Sequence, residues 1–155
     1  MTNKRVLIRK NSYLVCAGFE EEKLNDLIIM EEDSKLHVGD IYIGKVKNII
    51  PNIQAAFVEV KKSLICYLPL SDFINGEKMY QGKELVVQIV KEAIKGKQPV
   101  VTTKINLSGK FSVITKGILT AGVSNRIESG EKRNQWQELA KKYCTDEYGI
   151  IIRTN

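Results

Sequence analysis

The sequence predicts a mainly β protein with one or two helices, built around a five-stranded barrel of the OB type. Two observations support this class. Between residues 40 and 104, five short segments carry strand signals and are separated by turn residues. A single longer connection, residues 71–80, separates the third segment from the fourth, which is the OB arrangement.

The five predicted strands follow one another closely. Gly39 and Asp40 open the first, Pro51 with Asn52 closes it at a tight turn, and the pair Lys61 and Lys62 turns the chain after the second. In order, the strands are IYIGKVKNII, IQAAFVEV, LICYLPL, KELVVQIVKEAI and PVVTTKI. We therefore expect the barrel to occupy residues 40–104.

The two flanks differ from the barrel in pattern. Residues 1–39 alternate apolar and polar positions in two strand pieces joined by the acidic run Glu20 to Glu22, which predicts an N-terminal β-hairpin. Residues 105–155 predict an α+β region in which short strands surround a helix at EKRNQWQELAKKY. In that helix Trp136, Leu139, Ala140 and Tyr143 share one face.

Positive charge is concentrated in the middle of the chain. Residues 1–39 carry 6 basic and 7 acidic side chains, residues 40–110 carry 11 and 6, and residues 111–155 carry 7 and 5. A basic module is typical of a protein with a polyanionic partner, although a solvated lysine-rich surface gives the same count.

Composition excludes several other classes. No apolar run approaches the roughly 18–20 residues that span a bilayer, and no signal-peptide core follows the N-terminus, so we expect a cytoplasmic protein without a membrane segment. Cys16, Cys66 and Cys144 have no CxxC spacing, so they predict neither a zinc site nor a disulfide framework. We expect them to be small buried apolar residues.

The second barrel strand places one aromatic ring on the outer face. Its alternation puts Ala56, Val58 and Val60 on the core side and Phe57 on the other. Tyr67 in the third strand and the pair Lys45 and Lys47 in the first are candidates for that outer face. If the faces coincide, the rings stack bases of single-stranded RNA and the ammonium groups neutralise phosphates. The alternative is that either ring packs under a loop.

A lysine-rich hairpin follows the fourth strand. Lys91, Lys95 and Lys97 surround Gly96 and would extend a basic groove along the barrel edge. A plain solvated hairpin tip is the alternative interpretation.

Several blocks of the chain together resemble the N-terminal portion of the ribonuclease E/G family of bacterial endoribonucleases. They are GDIYIGKVKNIIPNIQAAFVEV, YLPLSDF, GKQPVVTTKINLSGKF, GVSNRIESGEKR and GIIIRT. The resemblance implies an S1-type OB barrel at 40–104. It implies that residues 1–39 are part of an RNase H-like subdomain and that 105–155 are part of a 5′-monophosphate sensor.

The resemblance also implies roles for individual residues. The family's exposed aromatic pair falls on Phe57 and Tyr67, and its RNA-contacting lysine falls on Lys97. Its 5′-phosphate pocket falls on Gly109, Val113, Arg153, Thr154 and Arg126. Arginine offers phosphate a bidentate fork and threonine adds one directed hydrogen bond, so these residue types suit that ligand.

The chain departs from the family's pattern in two ways. The family has two adjacent arginines where this chain has Asn125 and Arg126. The aspartates that hold magnesium and the cysteines of a structural zinc link lie, by resemblance, in later regions that residues 1–155 do not match. We therefore expect no catalytic residue, no cofactor and no metal in this chain.

Three functions remain open at this stage. The first is single-stranded RNA binding as the N-terminal part of an endoribonuclease that acts in rRNA processing, other RNA processing and mRNA decay, with a possible homo-oligomer in that context. The second is a stand-alone RNA-binding or protein-adaptor module. The third, cleavage by this chain itself, needs clustered carboxylates to position a metal, and the acidic runs here are predicted to be solvated loops.

Overall fold

The structure is a computed structural model that describes residues 4–32, 35–74, 78–127 and 130–154. The chain forms two compact units, Met1–Lys35 and Leu36–Asn155. In the first unit the described strands form one small sheet. The second contains a closed barrel, a further sheet and a helix.

The first unit is a three-stranded antiparallel meander, not the two-stranded hairpin that the sequence predicted. The strands are β1 (Lys4–Lys10), β2 (Tyr13–Glu20) and β3 (Lys23–Glu31). Asn11 has a φ of 55°, a left-handed conformation that Asn tolerates better than most residues. The chain therefore reverses at Asn11 and Ser12, within a stretch whose alternation reads as one strand. The predicted acidic connection forms the second turn, at Glu21 and Glu22.

The predicted OB-type barrel is confirmed. Its strands are β4 (Ile41–Ile50), β5 (Ala55–Lys61), β6 (Leu64–Pro69), β7 (Glu84–Lys91) and β8 (Val100–Thr102). They close in the order β4-β5-β6-β8-β7. A 3-10 turn at Pro51–Ile53 joins β4 to β5, and another at Leu70–Asp72 begins the long connection.

The barrel interior is apolar and follows the predicted alternation of β5. Ala56 and Val58 have no exposed surface and Val60 is 8% exposed, so the predicted core face is correct. Other members of this core are Leu36, Val46, Cys66, Leu68, Leu85, Val87, Ile89 and Val101. Because these residues fill the interior, the opposite face of β5 points toward the surface.

The three cysteines are free thiols. Cys66 lies in the barrel core, where burial raises the pKa of its thiol to about 11. Cys16 and Cys144 are only half-buried, so the expectation of buried cysteines holds for Cys66 alone.

The C-terminal region is a four-stranded sheet with one helix packed on it. The elements are β9 (Asn106–Ser108), β10 (Ser112–Lys116), β11 (Ala121–Val123), α1 (Glu131–Tyr143) and β12 (Tyr148–Ile152). The strand order is β11-β12-β10-β9, with β11 and β12 parallel. Strand β9 was not predicted, because three residues are too few to show alternation.

Two polar side chains of α1 hold it to the end of β11. The Arg133 guanidinium donates to the carbonyl oxygens of Val123, Ser124 and Ile127, and Gln137 Nε2 donates to the Ala121 carbonyl at 2.7 Å. Within the described helix, Ala140 is the one fully buried residue, while Trp136, Leu139 and Tyr143 are only partly covered. The helix predicted from its apolar stripe is therefore confirmed, but most of that stripe is not covered.

Gln88 ties the barrel to the second sheet. Its side chain is 6% exposed, and its Nε2 donates to the carbonyl oxygens of Gly39 (3.1 Å) and Asn106 (2.9 Å). The Asn106 amide donates back to Gln88 Oε1 at 2.8 Å. This buried clamp fixes β9 against the barrel.

Among the described residues, no helix is long and apolar enough to cross a membrane.

Candidate nucleic-acid interface

The outer face of the barrel carries a row of three side chains from three neighbouring strands. Asn48 of β4 lies opposite Phe57 of β5, which in turn lies opposite Tyr67 of β6. Asn48 is exposed and both rings are half-buried. We call these three residues the barrel row.

The two rings of the barrel row touch edge to face. Their centroids are 6.1 Å apart and their planes make an angle of 75°, a favourable aromatic geometry. Each ring partly covers the other, which explains how two aromatic side chains remain on the outer surface. The structure thus brings Phe57 and Tyr67 together as the sequence predicted, and each keeps an accessible part.

Lys45 and Lys47 both lie near the barrel row, but their electrostatic surroundings differ. The Lys47 ammonium forms an ion pair with Glu59 Oε2 at 3.2 Å. Lys45 is exposed, pairs with Glu59 in strand register, and has no ion-pair partner among the described residues. Lys45 is therefore the more available of the two cations.

Glu59 is held in its charged form by its neighbours. The backbone amide of Ser63 donates to Glu59 Oε1 at 3.1 Å, and this hydrogen bond is the main cause that lowers the pKa of the Glu59 carboxyl. The hydrogen bond from Lys47 is the next cause. At neutral pH this face thus carries the Glu59 carboxylate beside its lysines, and Glu84 of β7 lies opposite Lys45 on the other side.

The lysine-rich hairpin approaches the barrel row through the backbone. The Lys97 amide donates to the Ile94 carbonyl at 3.0 Å and closes the hairpin tip at Lys95 and Gly96. Two residues later, the Pro99 carbonyl accepts a hydrogen bond from the Tyr67 amide at 2.8 Å. Lys97 is exposed and lies within about 7 Å of chain from that contact. The backbone of Lys97 is therefore close along the chain to the backbone contact of Tyr67.

Asn48 is the member of the barrel row that the sequence interpretation missed. Strict alternation along β4 points Val46 and Asn48 the same way, toward the core. A register irregularity between Val46 and Asn48 interrupts that alternation, so that Asn48 faces outward with Phe57. No pattern in the strand itself marks this irregularity.

The second predicted cluster lies where β9, β10 and β12 meet. Arg153 Nη2 donates to the Gly109 carbonyl at 2.9 Å, and the Arg153 amide donates to the Phe111 carbonyl at 2.9 Å. Val113 pairs with Ile151 on β12. The structure therefore gathers Gly109, Val113 and Arg153, with Thr154 following directly in the chain.

The turn that contains Arg126 contacts this cluster through backbone atoms. Arg126 lies in the turn after β11, where the Ser124 amide donates to the Ile152 carbonyl at 2.7 Å. Its side chain is exposed, and within the described part of the chain no hydrogen bond joins its guanidinium to the other four predicted residues. The structure brings Arg126 to the same end of the sheet without closing a pocket around it.

An open apolar groove of about 760 Å³ adjoins Arg153 and Thr154. The uncovered stripe of α1 forms one wall through Trp136, Leu139 and Tyr143. Arg153 Nε is buried there without a hydrogen-bond partner among the described residues. The hydrogen bond from Nη2 to Gly109 is the one that the guanidinium makes among the described residues, so its remaining donors are uncommitted at the position to which the resemblance assigns phosphate recognition.

Sequence comparison relates this chain to known proteins. A sequence model described as "Ribonuclease E/G family" matches residues 106–155. Ribonuclease G of Escherichia coli (strain K12) is 33% identical over 149 residues, which cover 84% of this chain and 30% of that protein. The chain belongs to the ribonuclease E/G family. Ribonuclease G of Haemophilus influenzae is 31% identical over 87% of the chain and 31% of its own length.

Ribonuclease E proteins also match. Ribonuclease E of Nostoc sp. is 27% identical over 97% of this chain and 23% of its own length. This ribonuclease E/G family chain thus spans less than a third of the length of these relatives.

Within residues 4–32, 35–74, 78–127 and 130–154, no three His, Cys, Asp or Glu side chains lie together as a metal site would require. We derive no metal-dependent step for this chain.

Proposed function

We propose that this chain binds single-stranded RNA through the outer face of its barrel. We infer that it does so as the N-terminal part of a ribonuclease E/G type endoribonuclease that acts in cytoplasmic RNA processing and mRNA decay. The observation that carries this proposal is the placement of Phe57 and Tyr67 side by side on adjacent strands, with lysines around them. Family membership supports RNA as the class of partner.

The ring geometry favours a single strand over a duplex. Because the two ring planes differ by 75°, two bases that remain stacked in parallel cannot both lie flat on them. Unpaired bases can be splayed apart to meet such surfaces, whereas bases in a helix cannot. Stacking on each ring contributes about 1–3 kcal/mol and tolerates any base.

The lysines supply the matching electrostatics. Lys45 and Lys97 are exposed and have no ion-pair partner in the described part of the chain, so each can neutralise a phosphate. Residues 40–110 carry 11 basic against 6 acidic side chains, which gives this region a net positive field. Such a field also speeds the encounter with a polyanion at low salt.

Binding of a labelled single-stranded RNA to Phe57→Ala and Tyr67→Ala tests the proposal. Each substitution removes one stacking surface, so we expect a loss of about 1–3 kcal/mol, or about 5- to 150-fold in Kd. Fluorescence anisotropy at one fixed salt concentration measures the change.

Tyr80→Ala is the matched control. Tyr80 is another exposed aromatic residue, 58% accessible, that lies outside the barrel row. We expect this variant to bind as the wild type does. Equal affinity in all four proteins would contradict the proposal, and wild-type protein that binds no RNA would leave the protein-adaptor function instead.

We also propose that Arg153 and Thr154, with Gly109, Val113 and Arg126, bind the 5′-monophosphate of RNA. The specific support is the Arg153 guanidinium, whose Nη2 donates to the Gly109 carbonyl at 2.9 Å and which makes no other hydrogen bond among the described residues. A guanidinium with an uncommitted donor suits a phosphate oxygen better than an ordinary strand end does.

Two RNAs of one sequence, one with a 5′-monophosphate and one with a 5′-hydroxyl, test this second site. The wild type should bind the phosphorylated RNA more tightly, and both Arg153→Lys and Thr154→Val should reduce that ratio by several-fold. Lys116→Gln is the control, since it removes an exposed charge from β10 of the same sheet. A wild-type ratio of one would remove the proposal.

A further inference from the structure

The β4 bulge brings an amide side chain into the barrel row. Lys45 pairs with Glu59 and Val46 with Val58, but the next pair is Asn48 with Phe57. Lys47 is the extra residue. Ile49 then packs against the core, which confirms that Asn48 points outward.

Asn48 has hydrogen-bonding capacity that the protein does not use. Its side chain is exposed and forms no hydrogen bond with any residue in the described ranges. Asn is disfavoured inside strands, and among the described residues no side-chain hydrogen bond offsets that preference. An amide offers two donor hydrogens and one acceptor oxygen, which match a base edge that presents a donor beside an acceptor.

The position of Asn48 suits contact with a stacked base. Side chains directly opposite on antiparallel strands have Cβ atoms about 4.5–5.5 Å apart, so the amide lies at the rim of the Phe57 ring. A base that stacks on this ring turns its edge toward the rim. Stacking on the rings and phosphate contacts by the lysines tolerate any base, so neither of these two interactions gives a base preference.

We propose that Asn48 hydrogen-bonds the edge of the base that stacks on Phe57 and thereby gives the interface a base preference. This inference rests on the proposed RNA binding and adds a specificity-determining residue to it. The neighbouring Lys47 ammonium pairs with Glu59 Oε2 at 3.2 Å, so it does not hydrogen-bond the side-chain amide of Asn48.

The test compares the affinities of three single-stranded oligonucleotides, all-adenine, all-cytosine and all-uracil RNA of equal length. Wild-type affinities should differ by about two- to ten-fold, the range that one neutral hydrogen bond supplies. Asn48→Ala should bring the three affinities to within about two-fold of one another while binding persists through stacking.

Two further variants separate the possible results. Asn106→Ala, which truncates an exposed strand asparagine outside the barrel row, should keep the wild-type spread. Phe57→Ala should weaken binding to all three RNAs. If Phe57→Ala does so while Asn48→Ala keeps the full spread, the role of Asn48 is overturned and the proposed RNA binding stands. If the wild type binds all three equally, the preference does not exist, and if it binds none, the proposed function itself fails.

Discussion

Glu59 is an acidic residue beside the barrel row and repels the phosphates of the proposed RNA contact. It holds Lys47 at 3.2 Å and lies opposite Lys45 in strand register. Removal of its charge by Glu59→Gln frees Lys47 and lowers repulsion of phosphate. We therefore expect tighter RNA binding and a steeper salt dependence, by about 0.7 in the slope of log K against log salt for one added phosphate contact. Salt titration of RNA binding measures both changes.

Glu138→Gln is the matched control for this charge change. Glu138 pairs with Lys141 at 2.8 Å on the exposed side of α1, away from the barrel row, so its loss also releases a lysine. RNA binding should be almost unchanged. The same gain in both variants would show that net charge, and not position, governs the effect.

Acid should act on the wild type as Glu59→Gln does. The Ser63 amide and Lys47 lower the pKa of the Glu59 carboxyl from its ordinary value, so the Glu59–Lys47 pair persists above that ordinary value and is lost as the pH falls through the folded-state pKa. At neutral pH the Glu59–Lys47 pair is therefore complete. At that pH, the Glu59→Gln substitution is what reveals the effect of the pair on RNA binding.

The candidate residues differ in how far the sequence could predict them. Period-two alternation placed Phe57 outward, because a filled apolar face fixes the register of β5. The same rule failed for Asn48, because one inserted residue reverses the face of everything that follows it. The position of a bulge depends on both strands of the pair, so β4 alone does not encode it visibly.

At the scale of elements, β12 depends on a glycine for which no motif gave a reason. Gly149 is buried, and a Cβ there would overlap the Ile118 carbonyl oxygen and lie 2.6 Å from the Thr120 amide nitrogen. We expect Gly149→Ala to reduce the free energy of unfolding by about 1–3 kcal/mol, because backbone atoms cannot yield as a side chain can. Thermal unfolding followed by circular dichroism measures this loss.

Gly122→Ala is the control on the neighbouring strand. A Cβ at Gly122 would meet Ile151 at 3.4 Å, an ordinary van der Waals distance. Its unfolding free energy should change by less than about 0.5 kcal/mol. Equal losses at the two positions would contradict the steric argument, since glycine flexibility alone would then explain both.

The helix shows what an amphipathic pattern does and does not determine. Its 3.6-residue period correctly predicted Glu131–Tyr143 as α1. The same pattern would be expected to bury its stripe, yet Trp136 is 44% and Tyr143 is 58% exposed. Periodicity describes which side chains share a face, and only the surrounding elements decide whether that face is covered.

At the scale of the whole molecule, the charge distribution agrees with the architecture. The excess of positive charge falls within residues 40–110, which contain the barrel, while residues 1–39 carry slightly more acidic than basic groups. A chain that binds RNA mainly through its barrel needs its strongest field there. The distribution therefore supports the same surface as the barrel row does.

The sequence alone determined the fold class, the five barrel strands, the helix and the outward face of Phe57. These features depend on local periodicity and turn chemistry, which neighbouring residues specify. The tertiary structure decided the pairing of Phe57 with Tyr67, the bulge that presents Asn48, the ion pair of Lys47 and the contact of Arg153 with Gly109. Each of these joins residues that are distant in the chain, so it depends on strand register and closure, which no single segment contains.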